Sequence, residues 1–408
     1  MHYDCDIDIR IARSLGEIEE LRDFWCDCPG HRDSDIDMVI TVVDSYPEAV
    51  RPHVIAIYRD GSPEAILIGR LERKRIPFKV GYFMLFRPWA RCLTFVYGAI
   101  RGNATAANTE ILVREVLKCL KQNEADLAIF EHVPTESPLY QFALSAPGTF
   151  SRDRFPLLQG HELMHVPDSI ERVWSRMSGA RKKHLRASHR KLQAHPAGPL
   201  RIVCYRAPGD LDRLFHDAEQ IAAKTYQRGM HVGFADTPVI RRRLALAAHK
   251  GWLRANLLYL GERPVTFWIG MLYQGTFVSE YMGYDPEFRG YGPGMVLVMQ
   301  VIEQFCGRAN QEQINMIDFG IGDAEYKALL GTDRWLEANA LILSPSLKGF
   351  SLKCMRVTTR LLDLFARRLL SSAHLFSRLK RLWRDRLAKD ARSSTPTSAR
   401  PVQQLDQQ

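Results

Sequence analysis

The chain has 408 residues, 46% apolar and 25% charged, and a formal net charge of +10. Those values are globular. They exclude a disordered or fibrous chain, and the length allows two domains with cores of their own. The charge is uneven: from Pro345 onward there are 14 Lys/Arg against 4 Asp/Glu, leaving 42 of each sign in the first 344 residues, so the basic character belongs to the C-terminal tail.

The opening MHYDCDIDIR is acidic and lacks the apolar stretch of a signal peptide. No run of about 18 apolar residues occurs, so no spanning helix is expected. The eight cysteines are scattered. Cys26-x-Cys28 with His31 is the one cluster, and no second Cys/His pair stands at zinc spacing, so no metal is expected. This usage suits a reducing, cytoplasmic setting.

In chain order, Cys5–Ala12 alternates as an opening strand, and Leu15–Cys26 places Leu15, Ile18, Leu21, Phe24 and Trp25 on one helical face. His53–Tyr58, Ala65–Leu71, Gly81–Phe86 and Leu93–Tyr97 follow as short strands bounded by Gly and Pro. Ala104–Lys121 then reads as a helix and Ala125–His132 as a buried strand. Between Tyr97 and that helix stands GAIRGNATA, where Gly98, Gly102 and Asn103 can turn the chain. A crossing strand is expected at His161–Val166.

Ser169–Gln193 is a basic helical region carrying Arg181, Lys182, Lys183, Arg186, Arg190 and Lys191. A groove-binding nucleic-acid helix is one reading. The favoured one is a solvated helix packed through Val173, Trp174, Met177, Leu185 and Leu192, so no nucleic-acid partner is expected. One or two of its bases could face an anionic acceptor.

Leu200–Tyr205 opens the second half. Helices at Asp210–Tyr226 and Thr237–His249 follow, the latter with Thr237 as N-cap and Pro238 at its first position. Trp252–Leu260, Val265–Tyr273 and Thr276–Tyr281 form an antiparallel meander. It delivers the chain to YMGYDPEFRGYGPG, in which Arg289, Gly292 and Gly294 have the spacing R-x-x-G-x-G. After it Met295, Val298, Ile302 and Phe305 recur at helical spacing. A glycine-rich turn between strand and helix leaves backbone N–H groups open, and with the positive end of the helix these suit a pyrophosphate. Neither a G-K-[ST] nor a complete G-x-G-x-x-G is present. Next comes INMIDFGIGDAEYK: a strand ending in Asp318, a Gly-rich turn, then Tyr326 and Lys327.

Strand, R-x-x-G-x-G turn, helix, strand and D-F-G-x-G-D-x-x-Y-K in that order resemble the GNAT-superfamily acyltransferases. The likeness is to the branch found with cellulose and exopolysaccharide synthesis, related to the FemABX transferases. It runs from about Ile170 to Leu343, and the first 165 residues look like a degenerate copy without the turn. The resemblance implies an α/β (α+β) protein of two tandem GNAT-like units with mixed, mostly antiparallel sheets. It implies an N-acyltransferase that takes acetyl-CoA (acyl-CoA) as co-substrate and an amine of a sugar, envelope precursor or small molecule as acceptor. An aminoacyl-tRNA-dependent FemABX-like transferase and a silent subunit of a polysaccharide-synthesis complex are the alternatives.

The candidate CoA-binding residues are Arg289, Gly290, Tyr291, Gly292 and Gly294. Acyl transfer to an amine needs a proton acceptor, a donor for the departing thiolate and stabilisation of the oxyanion. No Ser-His-Asp or Cys-His pattern is present, so direct attack in a ternary complex is expected. Glu280 and Asp318 are the candidate bases, Tyr326 is the candidate acid by resemblance, and Lys327 could contact an anionic group. Each has a plain alternative: Glu280 pointing to solvent, Asp318 buttressing its turn, Tyr326 in the core, Lys327 at the surface, and Arg289 fixing its turn.

The domains expected are 1–168 (degenerate unit), 169–344 (CoA-binding unit), 345–392 (basic amphipathic helical tail) and 393–408 (Ser/Thr/Pro/Gln-rich, disordered). In the tail, Leu361, Phe365, Leu369, Phe376, Leu379, Trp383 and Leu387 form an apolar stripe with Arg off it. That pattern suits a helix lying on an anionic membrane surface, at the inner face for a cytoplasmic protein, or one packed on the body.

Overall fold

The computed structural model describes residues 7–371 except 82, 230 and 231. The described residues divide into two compact units, 7–159 with 336–371, and 160–335. The tail stripe beyond Ser371 lies outside the described residues.

In the first unit, strands run in the order Ile7–Ala12, Ala49–Arg59, Ser62–Arg75, Trp89–Gly102, Leu127–Pro134 and Asp333–Leu343, the last entering the unit at Leu336. All neighbours are antiparallel except Trp89–Gly102 with Leu127–Pro134. That exception requires a crossover, which the helix Ala106–Lys121 supplies. Its Leu112, Val113, Val116 and Leu120 are buried with Val54, Ile55, Ile66, Leu67, Phe95 and Phe130. The expected Leu15–Cys26 helix is two short ones, Leu15–Glu19 and Arg22–Asp27, the first opened by a capping box between Ser14 and Glu17.

The second unit repeats the plan. Leu200–Tyr205, Leu253–Leu260, Arg263–Tyr273, Thr276–Tyr284, Met316–Ile321 and Leu158–His165 are neighbours in that order, and again only the fourth and fifth are parallel. The crossover helix Pro293–Phe305 buries Val296, Leu297, Val298, Val301, Ile302 and Phe305 against Trp268, Phe277 and Ile317. The sixth strand of each unit comes from outside the repeat: the second unit takes Leu158–His165 from before it, and the first takes its last strand from after the second. The expected two α/β units with mostly antiparallel mixed sheets are the fold of this chain.

The basic stretch splits into Ile170–Ser175 and Gly179–Gln193, the second begun by Ser178, whose hydroxyl accepts from the Arg181 N–H. Val173, Met177, Leu185 and Leu192 are buried, while Lys183, Arg186, Arg190 and Lys191 are exposed. No helix among the described residues is long and apolar enough to cross a membrane.

Candidate active site

The site lies where the two parallel strands of the second unit part. Thr276, Phe277 and Val278 pair with Met316, Ile317 and Asp318, and the pairing stops there although both strands continue. Beyond that point Thr276–Tyr284 keeps its bonds only to Arg263–Tyr273, so one edge of its backbone faces the gap. The register against that neighbour slips between Ile269, opposite Tyr281, and Gly270, opposite Ser279. Glu280 is the extra residue of a β-bulge, which re-aims the strand beside the gap.

Glu280 does not point to solvent. Its side chain is 2% exposed and accepts from Arg243 of the helix Pro238–His249 at 3.2 and 3.4 Å. The residue as a whole is half-buried, so what the bulge presents is main chain. Arg243 was invisible in the sequence: it is one of three consecutive arginines on a surface-patterned helix.

Asp318 buttresses its turn. One carboxylate oxygen, Oδ1, accepts from the Gly320 N–H at 2.6 Å and lies 2.7 Å from His161 Nε2. His161 stacks on Trp335 with ring centroids 4.4 Å apart. His161, Glu162, Asp318 and Lys327 are all buried, a polar cluster inside an otherwise apolar unit. His161 and Glu162 gave no signal in the sequence, because consecutive polar residues in a strand read as a solvent-facing edge.

Tyr326 and Lys327 open the short helix Glu325–Leu330. The Tyr326 ring meets Phe319 edge-on at 6.0 Å, and burial pushes its phenol up to about 12. Lys327 is buried. Its Nζ donates to the Ile321 carbonyl at 2.5 Å, and burial pulls its ammonium down to about 8 against the opposing pull of Asp318, Glu162 and Asp323. The helix is tied down by Arg176, which donates to the Leu330 and Gly331 carbonyls, and by the Arg181–Glu325 ion pair.

At the other end of the gap stands the R-x-x-G-x-G turn. Asp285 caps the single-turn helix Pro286–Tyr291 and is itself buried between Lys224 (2.6 Å) and Arg263 (2.9 Å). Gly292 has φ 59° and ψ 42°, the left-handed conformation that glycine adopts without strain. Pro293 starts the next helix, whose N-terminus has no side-chain cap. A Cβ built on Gly290 or Gly294 meets nothing within 4 Å, so the space over the turn is open. The Arg289 side chain is exposed and makes no hydrogen bond or ion pair within the described residues. It does not fix its turn; the Asp285 cap and the Gly292 conformation do. The Gly292 N–H is bonded to the Arg289 carbonyl, so what fits a pyrophosphate is the uncapped N-terminus of the helix Pro293–Phe305 and the uncommitted guanidinium.

Residues 179–328 match the model of the acetyltransferase (GNAT) domain. This is the segment that holds the bulge, the gap and the turn. No curated protein matches the chain. Among solved structures, FemX is similar over 80% of this chain and 96% of its own, at 10% identity and a TM-score of 0.50, a likeness of fold. A conserved protein of unknown function from Bacteroides thetaiotaomicron covers 82% and 100% at 12% identity and a TM-score of 0.48. A tandem GNAT protein from the clavulanic acid biosynthesis pathway covers 83% and 100% at 11% identity and a TM-score of 0.43. Among the described residues no cluster of His, Cys, Asp and Glu is arranged to hold a metal ion.

Proposed function

We propose that the second unit transfers an acyl group, acetyl in the simplest case, from a CoA thioester to an amine of a sugar, envelope precursor or small molecule. The observation that carries this reading is the open turn Arg289–Gly294 at one end of the gap between the parting strands. The pyrophosphate would rest on the uncapped N-terminus of the helix Pro293–Phe305 and the Arg289 guanidinium, leaving the pantetheine arm to run into the gap. There the strand Thr276–Tyr284 would line the thioester, and its main chain would meet the charge that develops on the oxygen.

Direct attack forms the C–N bond and breaks the C–S bond. One proton leaves the amine and one must reach the sulfur. Of the four candidates Lys327 is the best-matched carrier, because its value of about 8 lies near that of a thiol and near working pH. The neutral amine of Lys327 accepts from nitrogen and its ammonium gives to sulfur. Burial holds the Tyr326 phenol neutral, up to about 12, so it would serve as a hydrogen-bond donor to the leaving sulfur. Glu280 and Asp318 hold the bulge and the turn in place.

Titrating the whole protein with acetyl-CoA by calorimetry tests the reading. One-to-one binding is expected. If neither acetyl-CoA nor CoA binds, the reading fails and a silent subunit is the better description. An aminoacyl-tRNA donor is the second reading, favoured by the helix Gly179–Gln193, which has six Lys/Arg and no acid. Displacement of bound acetyl-CoA by tRNA would support it.

A further inference from the structure

The two units differ at one connection. In the second, Arg263–Tyr273 turns into Thr276–Tyr284 through Gln274 and Gly275 alone. In the first, the matching strands Ser62–Arg75 and Trp89–Gly102 are separated by an inserted hairpin, Phe78–Val80 paired with Phe83–Phe86. The insertion is rooted in the core by Ile76 and Phe78, at 8% and 5% exposure. Its outer strand is not: Phe83, Met84, Leu85 and Phe86 are all exposed, Phe83 by 79%, and Trp89 just after them by 50%.

A hairpin of a soluble protein ordinarily turns one face inward, so successive side chains alternate. Four consecutive apolar residues exposed on both faces have no such partner. The adjoining helix Leu347–Ser371 packs on the hairpin's first strand, and Asp363 accepts from the Gly81 N–H at 2.8 Å. The same helix exposes Leu361, Leu362, Leu364 and Phe365. Runs of exposed apolar side chains of this kind mark an interaction site.

Charge identifies the partner. Residues 73–91 contain six Lys/Arg and no Asp/Glu; Lys74 pairs with Glu72 and Arg91 with Asp126, which leaves Arg73, Arg75, Lys79 and Arg87 around the hairpin. Arg73 and Arg75 lie over the Trp89 ring at 5.9 and 5.0 Å, and Lys79 and Arg87 flank the apolar strand, both exposed. Apolar side chains at the tip with Trp and Arg behind them match the layering of an anionic lipid leaflet: acyl chains, interface, phosphates. We infer that the first unit docks on anionic membranes through the inserted hairpin Phe78–Phe86 and the adjoining face of the helix Leu347–Ser371. The inference is independent of the acyltransfer reading.

The test is flotation of the full chain with phosphatidylcholine vesicles, with and without a third of phosphatidylglycerol. Wild type is expected to float with the anionic vesicles only, and the double variant F83D/L85D to bind at least tenfold less. Both positions are exposed, so an unchanged circular dichroism spectrum and melting temperature should accompany the loss. As a second measurement, brominated lipids should quench part of the wild-type tryptophan fluorescence, and W89F should lose that part. Equal flotation of wild type and F83D/L85D would overturn the inference and assign binding to another segment, such as the tail. Wild type that ignores both vesicles but dimerises through the patch, with F83D/L85D monomeric, would overturn it in favour of a second copy. Binding to neutral and anionic vesicles alike would overturn the anionic assignment.

Discussion

The two units place a turn at the same point of the same plan, between the fourth strand and the crossover helix, and use it differently. In the second unit Arg289 is exposed and uncommitted, Gly292 is left-handed, and the helix begins without a cap. In the first unit Arg101 is 2% exposed and donates to the Cys28 carbonyl (2.8 Å), the His31 carbonyl (2.9 Å) and the Ser34 hydroxyl (3.2 Å). The Thr105 hydroxyl accepts from the Asn108 N–H, filling the helix N-terminus with a side chain of the protein itself. An arginine shortly before the crossover helix, Arg289 in a turn or Arg101 at the end of the strand Trp89–Gly102, can therefore serve a ligand site or a structural plug. The difference is whether the chain satisfies its own donors.

The largest expected effect sits at the proposed proton carrier. Lys327→Met should lower kcat by about 10²–10⁴ with little change in acetyl-CoA affinity, the range for losing a proton carrier. In wild type kcat/KM should rise with pH and level off above about 8, since the accepting amine must be neutral. Stability has its own sign. Lys327 is held below its ordinary 10.5, so between about 8 and 10.5 the unfolded chain binds a proton that the folded one lacks, and stability rises with pH across that window. Chemical denaturation of Lys327→Met should show that rise removed. If Lys327→Met keeps full turnover, the proton path runs elsewhere.

Closing the open turn is next. Gly294→Val puts a branched side chain into open space at negative φ, so the fold should survive while acetyl-CoA affinity drops by about 100-fold, or ~2.7 kcal/mol. Calorimetry beside a thermal melt reads both, and unchanged affinity would remove the turn from the binding site.

The paired arginines give a crossed test. Arg101→Ala should cost about 2–4 kcal/mol of stability, from lost hydrogen bonds and a cavity, with acetyl-CoA affinity intact. Arg289→Gln should leave the melting temperature alone and weaken acetyl-CoA by about tenfold. Were Arg289→Gln the destabilising member, the contrast between the two turns would be wrong. The smallest effect belongs to the cap: Thr105→Ala should cost about 1 kcal/mol in denaturant titration and confer no nucleotide binding on the first unit.

The order of the main strands and of the two crossover helices was legible because it rests on local rules. The helices Ile36–Ser45 and Pro138–Ser145 and the strand Asp333–Leu343 were not read, and 81–86, expected as a strand of the meander, belongs to the inserted hairpin. Two-residue turns such as Gln274-Gly275 fix hairpins, alternation fixes faces, and helical spacing finds Pro293–Phe305. The R-x-x-G-x-G turn was legible for the same reason, since glycine positions report backbone conformation directly. The sequence also carried the contrast between the turns in part, because GAIRGNATA lacks the motif. It could not say that Arg101 is buried, which depends on carbonyls of residues 28 and 31 brought back by the fold.

Tertiary structure alone decided the surroundings of the candidate residues. Glu280 read as a strand-end carboxylate and is locked to Arg243, 37 positions earlier. Asp318 meets His161 across 157 positions, and Lys327, read as a contact for an anionic group, is buried with its pKa lowered. Likewise, that Leu336–Leu343 returns to the first unit's sheet follows from pairing with Leu127–Pro134, a contact between segments far apart in the chain. Local spacing determines which backbone forms; which side chains lose water, and so which charges are paired or shifted, depends on segments that sequence proximity does not connect.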